Sequence, residues 1–260
     1  MVSLAALLVY FSPRLGGRTI GRGTANVIFW TLTVGSLLFY LTFLLLGLIL
    51  GNAVNGYGGI EAPWLVPFLS RNRALLLAVA GSTMLAAFWL YFGTLWRSLD
   101  IRRLGSALRN ATPAGFWFVS SFALVIGTLQ GLAQVIPATA QMLTIPEEVP
   151  NIHAQLNMIG GVLLALIGTV YLLLPELAEG EASVCTRRIT LAGIGGGIAG
   201  YYAVTLVSGI VRWTYMAAGA DSVTAAAKLG WITPALLVLT GLPILAGTLA
   251  FGRGVYGATR

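Results

Sequence analysis

Apolar residues along this chain fall into six long runs separated by short segments rich in arginine, glycine and proline. The runs cover approximately Ala25–Leu50, Ala74–Trp96, Phe116–Ile136, Ala154–Leu174, Ile189–Val211 and Trp231–Phe251. Each is close to the roughly 20 residues that an α-helix needs to cross about 30 Å of hydrocarbon at 1.5 Å per residue. The pattern therefore predicts an all-α, polytopic membrane helix bundle with six full transmembrane helices. Ahead of them the apolar stretch Met1 to Phe11 is too short to cross and is expected to form a partial helix. Trp96 and Trp117 flank one connection while Trp213 and Trp231 flank another, so all four are expected at headgroup level as interfacial anchors.

Composition agrees with that reading and excludes several alternatives. Hydrophobic residues make up 57% of the 260 positions, charged residues 9%, and mean hydropathy is +0.87. With the 33 glycines the apolar share is about 70%, against the 45–50% usual for soluble domains. A soluble domain, a disordered chain and a coiled coil are excluded. The single cysteine, Cys185, cannot form an intramolecular disulfide, and the single histidine, His153, cannot build a site that needs two or three histidines from this chain. Zinc hydrolases and self-contained copper sites are therefore out.

A net charge of +7 would suggest nucleic acid in a soluble protein, but here the arginines sit in short connections between apolar runs. That placement reports topology and lipid headgroups, not nucleic acid. Assigning connections alternately to two sides puts Arg14, Arg18, Arg22, Arg97, Arg102, Arg103, Arg109, Arg187, Arg188, Arg253 and Arg260 on one side and Arg71, Arg73, Arg212 and Lys228 on the other. The first side, which includes the C-terminus, is expected to be cytoplasmic, in a prokaryotic inner or plasma membrane. The connection Pro137 to Ile152 carries no basic residue and falls outside. No secretory signal is evident, because Val2 to Phe11 has no basic residue before it and Arg14, Arg18 and Arg22 after it.

The chain also resembles itself at a shift of 162 residues. Leu4 then pairs with Leu166, Pro13 with Pro175, Leu15 with Leu177, Thr24 with Thr186, Gly35 with Gly197, Tyr40 with Tyr202, Leu44 with Leu206 and Gly47 with Gly209. In both copies a helix closes on Pro-x-Leu, a short loop follows, and the next helix carries a glycine, an aromatic pair and another glycine. A single membrane domain over 1–260 then divides into a partial first repeat unit (1–50), connecting helices (74–136), a second repeat unit (153–212), and a last helix and tail (229–260).

Ionisable groups are scarce inside the spans, where they would be costly and retained mainly for function. No Asp, Glu or Lys lies mid-span, which argues against a carboxylate-based proton pump or ion-coupled transporter. The acidic residues Glu147, Glu148, Glu176, Glu179 and Glu181 fall in connections, where solvated charge suffices to explain them. His153 stands apart. In Pro150-Asn151-Ile152-His153-Ala154-Gln155-Leu156-Asn157-Met158 a histidine and two amides open a helix at the outer surface, with His153 and Asn157 on one face and Gln155 turned to another. A neutral imidazole can be an axial haem ligand, and it can equally be an interfacial histidine bonded to the outer loop. Gln130 and Gln134, one turn apart, can bond a cofactor edge, a quinone or a neighbouring helix. Gly127-x-x-x-Gly131, Gly193-x-x-x-Gly197 and Gly196-x-x-x-Gly200 are read as surfaces for close helix packing, since none sits in a nucleotide-binding loop.

The segment His153-Ala-Gln-Leu-Asn-Met-Ile-Gly-Gly, followed by Leu166-Ile-Gly-Thr-Val-Tyr-Leu-Leu-Leu-Pro175, resembles a helix of the haem-copper oxidase catalytic subunit, in the branch with cbb3-type oxidases and nitric oxide reductases. Tyr10-Phe-Ser-Pro-Arg-Leu-Gly-Gly-Arg18, followed by Phe29-Trp30 and Gly35, looks like the same unit again. Gly127-Thr-Leu-Gln-Gly131 looks like the helix that precedes the histidine helix in that branch. The family core has twelve helices in three pseudo-repeats of four, which matches the internal shift.

In the family pattern a His-x-His pair opens this helix, the first ligating the active-site haem and the second a low-spin haem. This chain keeps the first as His153 and has Gln155 at the second, and no histidines remain for copper. The resemblance thus implies a diverged or split subunit, not catalytic alone, that gives at most one axial ligand to a haem b, with His153 the metal ligand and Gln155, Asn157, Gln130 and Gln134 the candidate cofactor contacts. It also implies partner membrane subunits, one of which completes a split subunit or assembles on a scaffold, and exchange of electrons with a quinone or an external redox protein. A cofactor-free scaffold that anchors partner chains through its glycine faces stands as the alternative, ahead of a small-molecule transporter, for which polar mid-span residues and inverted repeats are lacking.

Overall fold

In a computed structural model, residues 2–16, 19–55, 65–98, 101–144, 149–178 and 180–260 are described, and every regular element among them is helical. Met1, Gly17, Arg18, Glu147, Glu148 and Glu179 lie outside the described residues. The elements are α1 (Val2–Gly16), α2 (Arg22–Asn55), α3 (Leu65–Ser98), α4 (Ile101–Arg109), α5 (Pro113–Ala133) and α6 (Pro137–Thr144). Then α7 (Val149–Gln155) runs through a π-helical stretch (Leu156–Leu163) into α8 (Leu164–Leu177), and α9 (Val184–Leu191) runs through a second one (Ala192–Gly196) into α10 (Gly197–Ala217). Next come α11 (Ser222–Leu229) and α12 (Ile232–Ala258). Six segments are long and apolar enough to cross a membrane: Arg22–Gly47, Arg71–Ser98, Pro113–Ala133, Val149–Leu177, Val184–Ala217 and Ile232–Ala258. They contain the six apolar runs to within a few residues at most ends. The chain is an integral membrane protein.

Three short helices were not expected from hydropathy. In α4, Ile101, Leu104 and Leu108 recur at helical spacing among Arg102, Arg103 and Arg109, the pattern of a helix lying along an interface. α6 follows Pro137. α11 is capped by Asp221, whose carboxylate accepts from the Thr224 backbone N–H at 2.8 Å and from its hydroxyl at 2.9 Å. Those bonds, the backbone one first, hold the carboxyl below its ordinary range. The cap is therefore intact at neutral pH and is lost only as pH falls through that depressed value.

Spans adjacent in sequence pack side by side, and α5 is the centre of the row. The rest of the chain buries 56% of its most apolar window, against 17% for α2 and 6% for α12. The α5 contact with the α7–α8 span is close because glycine replaces a side chain along it. A Cβ on Gly161 would lie 2.5 Å from Leu124 Cδ2, one on Gly168 would lie 2.7 Å from Phe116 Cβ, and one on Gly160 would lie 2.9 Å from Ala123 Cβ. Ser120 Oγ donates to the Gly161 carbonyl at 2.6 Å across the same seam. In lipid, where apolar surface gains nothing by leaving water, such packing and interhelical bonds carry association.

Trp117 does not anchor at headgroup level as expected. It is fully buried and packs against Gly168 and Tyr91, its ring centroid 6.5 Å from the tyrosine's. The missing side chain at Gly168 is what makes room for the indole. Trp96 is half-buried among Phe92 and Phe118, whereas Trp231 is exposed.

The end of the bundle where most arginines gather is tied across the sequence. Arg14 at the end of α1 donates to Glu176 at the end of α8 at 2.6 Å, and Arg187 faces Glu181 at 3.6 Å. Arg188 donates to the Arg109 carbonyl and to Asn110 Oδ1, fixing α9 to the turn before α5. That turn holds Ala111 at φ 46, a left-handed conformation that alanine rarely adopts.

Glycines of the π-helical stretch before α10 and of α12 pack against each other inside the chain. A Cβ on Gly193 would lie 2.5 Å from the Pro243 carbonyl, and one on Gly247 would lie 2.8 Å from the Ile194 amide, whereas one on Gly196 would meet nothing within 4 Å. Gly247→Leu is expected to lower the thermal stability of the detergent-solubilised protein, by about 1–3 kcal/mol or more as for overpacked cores. Gly196→Leu in the same assay is expected to leave it unchanged.

Candidate functional site

At the opposite end from the arginine clamp, α2, α3, α5, α6 and the start of the histidine span enclose a cavity of about 640 Å³. Its walls are mostly apolar, with Phe39 and Phe43 from α2, Leu77 and Met84 from α3, Leu132 and Val135 from α5, and Met158 beside the histidine. The polar groups that reach it are few: Arg73, Thr128, Gln134, Thr144, His153 and Asn157. A volume in the range of about 300–1,000 Å³ with an apolar wall and a handful of placed polar groups is the usual form of a small-molecule or cofactor site.

His153 and Asn157 face the cavity together because they are four residues apart on a helix. Their seat is set by α5. The Gly131 position lies 3.3 Å from His153 Cδ2 and 3.5 Å from Nε2, measured to where its Cβ would be, and the Gly127 position abuts Asn157 Oδ1 and the His153 carbonyl. The one-turn spacing of the two glycines on α5 thus matches the one-turn spacing of histidine and asparagine on the facing helix. Any side chain at Gly127 would occupy the place of the Asn157 amide.

The hydrogen-bond inventory at this point is incomplete on the protein side. His153 Nδ1 and Asn157 Oδ1 are buried with no hydrogen bond of normal geometry, the Pro150 carbonyl one turn back being the group nearest to serving Nδ1. Both atoms are covered by the protein itself, Oδ1 lying against Gly127 of α5, so they report tight packing of the two helices.

The sequence candidates separate clearly. His153, Asn157 and Gln134 line the cavity, and Gln155 is exposed elsewhere, as its position on another helical face predicts. Gln130 is buried and donates to the Val149 carbonyl at 3.1 Å, so it fastens α5 to the start of α7 and does not border the cavity. Gln134 donates to the Val149 and Pro150 carbonyls at 3.4 Å each and also reaches the cavity. Of the three partners considered for these glutamines, a neighbouring helix is one that both of them bond.

Arg73 and the aromatic pair Phe39 and Phe43 belong to the site and were not singled out from sequence. Arg73 had a signal: it is one of only four basic residues on the side that is otherwise poor in them, at the mouth of an apolar run. The phenylalanines had none, because phenylalanine in a span is ordinary lipid-facing material.

Because Asn157 Oδ1 is buried and unsatisfied, replacing the amide with an apolar side chain of similar size should remove a penalty. Asn157→Leu is expected to raise the thermal stability of the ligand-free protein by about 1 kcal/mol, within the cost of an unsatisfied buried group. A loss of stability in that assay would show instead that the amide has a structural role. Compared with known protein families and with characterised proteins, the chain matches none.

Proposed function

We propose that this chain is a haem-copper-oxidase-like membrane subunit of a multi-subunit respiratory electron-transfer complex, in which His153 gives one axial ligand to a b-type haem. The observation that carries the reading is the meeting of the only histidine in the sequence with a mostly apolar cavity of about 640 Å³. Those residues fit the group: an imidazole on the wall, aromatic and aliphatic side chains to enclose a flat apolar ring, and a guanidinium at Arg73 to pair with an anionic substituent. A haem bound there supplies one-electron transfer, and the protein tunes its potential through ligand, burial and hydrogen bonds.

The residues of this chain then have distinct tasks. Gly131 sets the imidazole's position by leaving room for it, and Gly127 does the same for Asn157. Gln134 holds the start of α7 against α5, and so fixes the backbone from which His153 projects. Met84 and Leu77 of α3 and Phe39 and Phe43 of α2 keep water from the far wall. With one histidine in the sequence, a second histidine ligand would come from another membrane subunit, and the electron partner would be a quinone or an external redox protein. The ion pair of Arg14 with Glu176 ties the end of α1 to the end of the histidine span.

The alternative of a cofactor-free scaffold drew on the glycine faces as assembly surfaces. Gly193, Gly197 and Gly200 are occupied by α12 of the same chain, so that argument loses its main support and the haem reading stands ahead of it.

A pyridine haemochrome spectrum of the purified complex tests the reading, wild type beside His153→Ala with matched size-exclusion profiles. The expected result is one b-type haem in the wild type and its loss in the variant. An unchanged spectrum, or no haem in the wild type, would overturn the haem assignment in favour of the scaffold.

A further inference from the structure

A second cavity, of about 800 Å³, lies at the arginine-rich end between the start of α9 and the last turns of α12. Its rim carries Ser183, Thr186, Arg253, Tyr256 and Arg260, and its floor is Ile189, Leu249 and Ala250. Close packing shapes it: a Cβ on Gly254 would lie 2.8 Å from Thr186 Cγ2 of α9, and one on Gly180, in the connection before α9, would lie 3.1 Å from the Ala258 carbonyl.

Charge at the rim is predominantly positive. Arg253 makes no ion pair with any described residue, and Arg260 lies over the Tyr256 ring at 4.3 Å from its centroid while donating to the same tyrosine's hydroxyl. Glu181 also borders the cavity, but Arg187 faces it at 3.6 Å. The Ser183 and Thr186 hydroxyls bond each other, and the two guanidinium groups around one opening suit a phosphate diester, to which arginine binds with paired N–H donors. The floor selects between phosphate sources. Ile189 and Leu249 are themselves exposed, and Leu245 one turn away on α12 continues the apolar surface along the bilayer-facing side of the helix. A soluble phosphate has no use for that surface, whereas an acyl chain does.

We propose that this cavity is a binding site for one anionic phospholipid, its phosphate held by Arg253 and Arg260 and an acyl chain laid along Ile189, Leu249 and Leu245. Basic pockets at the membrane interface are suited to this task, and each basic residue near an anionic headgroup adds to retention. The site is separate from the His153 cavity and does not depend on the haem reading.

The test uses the full chain in a neutral detergent, titrated with phosphatidylglycerol, with phosphatidylcholine, or with inorganic phosphate. Two readouts run in parallel: thermal stability, and the rate at which Cys185, the only cysteine in the sequence and a residue of the cavity wall, is labelled by a maleimide. Phosphatidylglycerol is expected to raise the melting temperature and slow the labelling, with the other two additives doing neither. Arg253→Gln and Arg260→Gln should each weaken the phosphatidylglycerol effect about fivefold, from the roughly constant contribution of each charge near an anionic surface. Arg22→Gln, an exposed arginine at the start of α2, should leave it unchanged. An equal response to phosphatidylcholine, an equal response to inorganic phosphate, or an equal loss in Arg22→Gln would each overturn the proposal.

Discussion

The contact that the rest of the molecule depends on is the seam between α5 and the histidine span. Glycine stands at Gly127 and Gly131 on one helix and at Gly160, Gly161 and Gly168 on the other, and each meets a side chain from across the seam. Helices in lipid have no hydrophobic incentive to associate, so this close approach, with the bond from Ser120 to the Gly161 carbonyl, fixes the two spans relative to each other. At one end the missing side chains admit Phe116 and Trp117 into the core. At the other they leave space for an imidazole and an amide. One device, the omission of a Cβ, therefore builds the packed end and the cavity-bearing end alike.

The histidine span widens into a π-helix over Leu156–Leu163, whose first turn carries Asn157 and Met158 of the cavity wall. The same happens over Ala192–Gly196, where α9 passes into α10 and packs against α12. Both stretches contain glycine pairs, Gly160-Gly161 and Gly195-Gly196. A π-turn gives up regular α-helical hydrogen bonding and is found mostly as a local feature, often beside functional positions. Here the widened backbone meets its neighbour where glycine has removed the bulk, so the irregularity is accommodated by packing that an α-helix with ordinary side chains would not allow.

Much of this was legible in the chain. Each span announces itself because hydrocarbon thickness imposes a length and an apolar content that few other structures share, and the six runs coincide with the six long helices. The one-turn spacing of His153 and Asn157, and the divergence of Gln155, follow from helix geometry and hold in three dimensions. What sequence periodicity could not supply was partnership between helices. Trp117 looked like an anchor because it stands near the end of a span, but depth along a helix says nothing about which neighbour covers it, and Gly168 lies 51 residues away in the chain. Gly127 and Gly131 were correctly read as a close-packing face, yet what packs there is the candidate ligand itself. The short helices α4, α6 and α11 escaped because a window sized for a membrane span averages an eight-residue helix with its polar flanks.

The row of spans leaves its two flanks, α2 and α12, covered by little of the chain's own mass. In water such faces would be a liability, but in a bilayer apolar side chains lose nothing by meeting acyl chains, and an open row is as admissible as a closed ring. Openness has a consequence for access. Phe39 and Phe43 on α2 form part of the wall of the His153 cavity, and Ile189 and Leu249 on the opposite flank form the floor of the other. Each cavity therefore borders a helix that faces lipid. A water-soluble ligand would have to reach either one through a polar rim, whereas an amphipathic one, with a flat or extended apolar body and an anionic edge, can enter sideways from the membrane and present its charge to Arg73 at one end or to Arg253 and Arg260 at the other.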